Sequence, residues 1–303
     1  KLLLLGVFIA LKAVSSVLFL ALSRDRMPHS KKTSSAPSKG QLISQELVLK
    51  STSLARGRTE SPEAFLGRVT HLHLQNKRIT EISGLDLCTN LKVLYLYDNR
   101  ITEIKHVENL KMLSYVYLQN NAISKLPELE LTSLKKLFLD ENEIEYVTGL
   151  ESCSILEELF LARQRLPAFT SLEFDMASLM AVAGTLQVID IAGNGVTSLM
   201  PLACLYNLRR IFAQDNNIGS LADIEAVIGL PRVEEACFLR NPCCTISRYR
   251  DFAIGASSDA LRTLDEVAVL KHQQIGTKGL QEHRRKIGVA FPNPPTREQG
   301  EQQ

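Results

Sequence analysis

The sequence predicts an α/β solenoid, a horseshoe of about eight repeats of about 22 residues. Short parallel strands should line its concave face, and helices should cap its C-terminal end. Three observations predict this. A leucine frame returns with starts at positions 69, 91, 113, 134, 156, 186, 208 and 233. An asparagine follows the frame at one fixed offset in most units. After the last unit, Asn241-Pro-Cys-Cys and the run through Tyr249-Arg-Asp-Phe252 leave the frame and read as a helical cap.

The chain has 303 residues, 45% hydrophobic and 22% charged, with a formal net charge of +2. That is too apolar for a mostly disordered chain. Six cysteines are too few for a disulfide-dense scaffold. The near-zero charge argues against a protein that coats nucleic acid. The average hides three parts: residues 1–66 carry a net +6, residues 67–270 a net −7 and residues 271–303 a net +3. An acidic body thus sits between basic flanks.

The organisation follows from the N-terminus. Residues 1–22 form a hydrophobic segment, Leu2–Leu22 being apolar except for Lys12, Ser15 and Ser16. It has the length of a bilayer span and reads as an anchor, a signal peptide or a wrongly extended reading frame. Residues 23–60, rich in Ser, Lys, Arg and Pro, read as a basic disordered linker. The array covers residues 61–245 and opens on Ser61-Pro62, a cap residue before a proline at the first helical position. The C-terminal cap covers 246–276, with a helix expected over Asp265–Gly276, and a basic, polar tail covers 277–303.

One unit reads Leu91-Lys-Val-Leu94-Tyr-Leu96-Tyr-Asp-Asn99-Arg-Ile101-Thr-Glu-Ile104, and Leu113-Ser-Tyr-Val116-Tyr-Leu118-Gln-Asn-Asn121 repeats it. Steps of 22, 22, 21, 22, 30, 22 and 25 residues match the template L-x-x-L-x-L-x-x-N of leucine-rich repeats. Leu94 and Leu96 alternate as on a short strand and point into the core. Asn99, Asn121, Asn142, Asn194, Asn216 and Asn241 stand where the chain leaves each strand, placed for a side-chain amide to bond the neighbouring turn. Lys77 and Gln164 depart from that position. The 30-residue unit carries an insertion, Asp175–Gly184, that reads as a helix capped by Asp175, and Asp223–Ile228 reads as another helix.

Between the two core positions of each strand, one side chain faces outward. That row reads His73, Tyr95, Tyr117, Phe138, Phe160, Asp190, Phe212 and Cys237. The preceding outward position gives His71, Val93, Tyr115, Lys136, Glu158, Val188, Arg210 and Glu235, with Tyr97 and Asp140 just beyond. An aromatic stripe flanked by charge is the chemistry of a protein interface. The candidate partner-binding residues are therefore His73, Tyr95, Tyr97, Tyr115, Tyr117, Lys136, Phe138, Asp140, Glu158, Phe160, Arg210 and Phe212.

No phosphate loop, H-E-x-x-H or G-x-S-x-G occurs, and no nucleophile is paired with a base, so the sequence reads as non-enzymatic. Cys88, Cys153 and Cys204 fall at or beside apolar repeat positions, and Cys243-Cys244 lack a second ligand pair. No metal or cofactor is expected. The sparse cap cysteines favour a reducing cytoplasmic setting.

Several stretches carry a narrower signal: Leu94-Tyr-Leu-Tyr-Asp-Asn99, Tyr117-Leu-Gln-Asn-Asn121, Gln164-Arg-Leu-Pro167 with Phe174-Asp175, and Asn241-Pro with Tyr249-Arg-Asp251. Over roughly residues 66–270 they resemble the leucine-rich repeat regulatory subunits of protein phosphatase 1. The resemblance implies a non-catalytic regulator that binds the phosphatase catalytic subunit or tubulin-associated proteins. It also implies a place at the centrosome, basal body or flagellum. The family's docking motif, a basic residue, Val or Ile, any residue, then Phe or Trp, finds a degenerate copy at Val289-Ala-Phe291, with Lys286 one place too far upstream. Two other readings are a membrane-tethered or secreted receptor, which requires residues 2–22 to be genuine, and a ribonucleoprotein assembly factor acting through protein contacts. The acidic array argues against direct nucleic-acid binding.

Overall fold

Leucine spacing translates directly into strands. In the computed structural model, which describes residues 40–287, three-residue strands occupy His71–His73, Val93–Tyr95, Tyr115–Tyr117, Lys136–Phe138, Glu158–Phe160, Val188–Asp190, Arg210–Phe212 and Glu235–Cys237. They pair in parallel and in register, each with the next. Thr263–Leu264 extends the parallel run, and Val267–Ala268 closes the ten-stranded sheet as an antiparallel edge. The middle residue of each strand is buried, as at Leu94, Leu137 and Ile189, and its two neighbours face the other way.

Three residues past each strand, a left-handed residue stands just before the ladder position. Asp98, Asn120, Glu141, Arg163, Asp215 and Arg240 have φ between 52° and 59°, and Gly193 has φ 70°. That turn swings the chain off the sheet, and the following side chain fills the space it opens. Asn121 Oδ1 accepts from Ile101 N at 3.0 Å, while its Nδ2 donates to Leu96 O at 3.0 Å and Leu118 O at 2.9 Å. Asn99, Asn142, Asn194, Asn216 and Asn241 repeat the pattern. Backbone groups that the turn leaves inside the solenoid are satisfied this way rather than stranded.

Gln164 does not break the ladder. Its Oε1 accepts from Ile144 N at 3.0 Å, and its Nε2 donates to Leu139 O at 2.9 Å and Leu161 O at 3.1 Å. The longer amide makes the asparagine's three bonds.

The connections carry the irregular elements. The insertion forms a helix at Met176–Val182, with Asp175 Oδ2 accepting from Ser178 N at 2.9 Å. Gly184 follows it, with the exposed Tyr206 side chain packed beside it. Leu221–Ile228 forms a second helix, capped by Ser220. Tyr146–Val147 and Glu173–Phe174 pair as a small separate sheet.

Two expectations need correcting. The expectation of a disordered linker fails over residues 40–60, where the structure describes a strand and a helix. Gln41–Leu42 pairs with Ile79–Glu81, and the helix Gln45–Lys50 buries Val48 completely against the first repeat. Ile43 and Val48 cover apolar edge that an end repeat would otherwise expose. At the other end, the helix expected over Asp265–Gly276 starts only at Lys271 and runs to Ile287, across the cap–tail boundary. Asp265 and Glu266 have φ 52° and 64°, which no helix tolerates, and they turn the Thr263–Ala268 hairpin instead. Helix Tyr249–Ala256 packs beneath, burying Phe252 and Ile254. Among the described residues no helix is long and apolar enough to cross a membrane. Leu2–Leu22 and Val289–Phe291 lie outside the described residues.

Candidate functional site

In-register parallel strands stand about 4.8 Å apart. Equivalent outward side chains therefore meet at ring-stacking distance. His73 and Tyr95 have centroids 4.6 Å apart, Tyr95 and Tyr117 4.7 Å, Tyr117 and Phe138 4.5 Å, and Phe138 and Phe160 4.6 Å. The planes lie within 19° of parallel throughout. The structure thus joins five of the candidate residues into one column across the solvent-facing side of the sheet, the concave side of a leucine-rich repeat horseshoe.

Each interior ring spends both faces on its neighbours, so the column presents ring edges and tyrosine hydroxyls. Burial pushes the Tyr117 hydroxyl up to about 12 and raises Tyr95 as well, so both stay neutral donors. Phe212 is not in the column. Asp190 occupies the register position between Phe160 and Phe212 and interrupts it.

Beside the column runs a charged row. Lys136 Nζ lies 3.0 Å from Glu158 Oε1, and Arg210 Nη2 approaches the same oxygen at 3.8 Å. Tyr115 precedes Lys136 in this row and is half-buried, as is Tyr97, two residues past the Val93–Tyr95 strand.

Where the column stops, two carboxyls sit against the sheet. Asp140 Oδ1 accepts from Ala162 N at 2.8 Å, and Asp190 Oδ1 from Ala192 N at 3.0 Å. Burial pushes Asp140 up to about 7, with the Asp190 charge adding to the rise. Burial likewise pushes Asp190 up to about 6. The sequence signal for Asp190 is its place in the row, a carboxylate between the rings of Phe160 and Phe212.

Burial pushes the Cys88, Cys153 and Cys237 thiols up to about 11. Among the described residues no group of three or more His, Cys, Asp and Glu side chains is arranged to hold a metal ion.

Comparison with known proteins gives this geometry a family setting. A family model described as leucine-rich repeats, in two copies, matches residues 68–111. The crystal structure of internalin C2 from Listeria monocytogenes superposes with a TM-score of 0.52 at 26% identity, covering 66% of this chain and 87% of that one. The fold is a leucine-rich repeat fold. Over 93 residues the chain is also 32% identical to cilia- and flagella-associated protein 410 of Homo sapiens. That alignment takes in 30% of this chain and 34% of the relative, so the chain spans about a third of the relative's length. Leucine-rich repeat domains are, in general, protein-interaction modules with an extended binding face.

Proposed function

We propose that this protein is a non-catalytic scaffold that binds a protein partner through the ring column on its sheet. The observation that carries the reading is the continuous stack from His73 to Phe160, because it leaves half-buried aromatics facing solvent beside the Lys136–Glu158–Arg210 row. Aromatic anchors with a charged rim are the composition of binding hot spots. The edge-on presentation suits apolar side chains and aromatic faces of a partner, which the exposed ring rims contact at right angles.

The partner belongs to the cytoskeleton of a cilium, flagellum or basal body. The match to a cilia- and flagella-associated protein supports this. The narrower resemblance, to protein phosphatase 1 regulatory subunit 42, adds the phosphatase catalytic subunit as a candidate cargo. Its support is the shared Gln164-Arg-Leu-Pro167 element, which departs from the generic repeat.

The test replaces Tyr95, Tyr117, Phe138 and Phe160 with Ser, singly and in pairs, after circular dichroism shows the fold intact. Binding of the phosphatase catalytic subunit and of axonemal proteins is then measured against the parent chain. Loss of binding is expected in folded variants, and full retention would move the site elsewhere.

A further inference from the structure

A second surface lies on the connection that follows the Glu158–Phe160 strand. Leu179 and Val182 of the insertion helix turn into the core, which leaves Met176 and Met180, one turn apart, on the outside. They are 49% and 60% exposed. Tyr146, 46% exposed, adjoins one end, its hydroxyl donating to Asp175 Oδ1 at 3.4 Å. Tyr206, 60% exposed, adjoins the other end, packed on Gly184. The result is an apolar strip along the insertion helix, about 12 Å from Met176 to Gly184 at 1.5 Å per residue. Soluble proteins seldom leave such a strip bare without a use for it.

Its rim is acidic. Glu145 and Glu173 are exposed on the small sheet beside Tyr146 and make no ion pair among the described residues. Glu151 is also exposed, taking a hydrogen bond from Ser178 Oγ at 2.7 Å. Unpaired carboxylates around flexible Met side chains define a complementary ligand. We propose that this strip docks a basic amphipathic helix of a partner protein, with the partner's apolar side chains on Met176 and Met180 and its Lys or Arg over Glu145 and Glu173. Methionine adapts to varied apolar shapes, and the helix-in-groove mode needs apolar anchors at helical spacing. The same carboxylates repel anionic lipid and nucleic acid. The strip is independent of the ring column, so either surface can fail without the other.

The experiment uses the full chain and a fluorescein-labelled Leu/Lys peptide patterned as an amphipathic helix, read by anisotropy. Binding is expected, weakened at least about tenfold by Met176→Lys with Met180→Lys. Glu145→Gln with Glu173→Gln should weaken it several-fold and flatten its salt dependence. The Tyr95→Ser, Phe160→Ser pair should leave it unchanged. Met180→Ala, at an exposed site, keeps the test valid should the double Lys variant misfold. The proposal is overturned by no binding, by equal binding of a Leu/Glu peptide of the same pattern, or by binding that ignores the Met substitutions. It is also overturned if phosphatidylserine vesicles outcompete the peptide through Met176 and Met180.

Discussion

Tyr117 lies ring on ring with Phe138, centroids 4.5 Å apart and planes 8° from parallel, although the two residues belong to successive repeats. The ring column ties the repeats together on their solvent side. An interior ring loses two stacking partners when truncated, and a terminal ring loses one. Phe138→Ala should therefore cost about 2–3 kcal/mol, and His73→Ala under about 1 kcal/mol. Urea unfolding followed by circular dichroism measures both. Equal costs would mean that the column contributes binding surface and little cohesion.

The amide of Gln164 makes a second, internal tie. Gln164→Ala strands Ile144 N inside the solenoid, while Leu139 O and Leu161 O keep the bonds they accept from Asn142 and Asn194. With one buried group stranded, the loss should reach about 1–3 kcal/mol. Amide exchange gives a local reading: Ile144 should lose protection before Leu94 or Leu137. Unchanged exchange at Ile144 would contradict the role given to this side chain.

These ties differ in how far the residues announce them. Leu94 and Leu96 set the strand because alternation with a fixed offset admits one register, and Asn99 follows from the same offset. Gln164 looks like an exception until its longer reach is seen, since sequence position carries no information about side-chain path. Gly40–Lys50 reads as linker because it lies within a stretch rich in Ser, Lys, Arg and Pro, although Leu42, Ile43, Leu47, Val48 and Leu49 are apolar. Burial of Ile43 and Val48 depends on an exposed repeat edge elsewhere in the chain, which local composition does not reveal. Asp265 and Glu266 look helical by propensity, and the sheet edge they serve overrides it. The ring column is legible because register converts sequence spacing into distance. The Met176–Met180 strip is not, because the side of a short helix that faces out depends on what packs beneath it.

The carboxyls at the end of the column make stability depend on pH. Asp140 and Asp190 are raised to about 7 and about 6 in the folded chain, from an ordinary value of 3.8. Between those limits the folded state holds protons that the unfolded state has released. Their contribution is fully present below about pH 4 and is lost as pH rises through about 6 to 7. Thermal midpoints should therefore show a falling component from about pH 4 to about pH 7. Asp140→Asn keeps an acceptor for Ala162 N and removes the titration. It should flatten that component and melt no lower than the parent at about pH 8. A profile unchanged by Asp140→Asn would show that this carboxyl does not titrate in the window.

Two glycines give opposite outcomes for one substitution. Gly149 has φ 75°, and a Cβ there would overlap the carbonyl oxygen of Pro127 in the preceding repeat. That approach is part of the packing, since Leu129 N donates to Gly149 O at 2.9 Å across the same gap. Ala at 149 carries both the left-handed penalty and a backbone clash, so a loss above about 2 kcal/mol is expected. Gly276 sits inside the helix Lys271–Ile287, where a Cβ would meet nothing within 4 Å. Ala at 276 should stabilise that helix by about 0.5–1 kcal/mol, as a helix-interior glycine is the costlier residue. Global unfolding reads the first substitution. The second is better read in the exchange of amides along Lys271–Leu280, because a terminal helix can fray without the array unfolding. Slower exchange there, with the array amides unaffected, is the expected result. Faster exchange would mean that Gly276 sits in the helix under a constraint other than propensity.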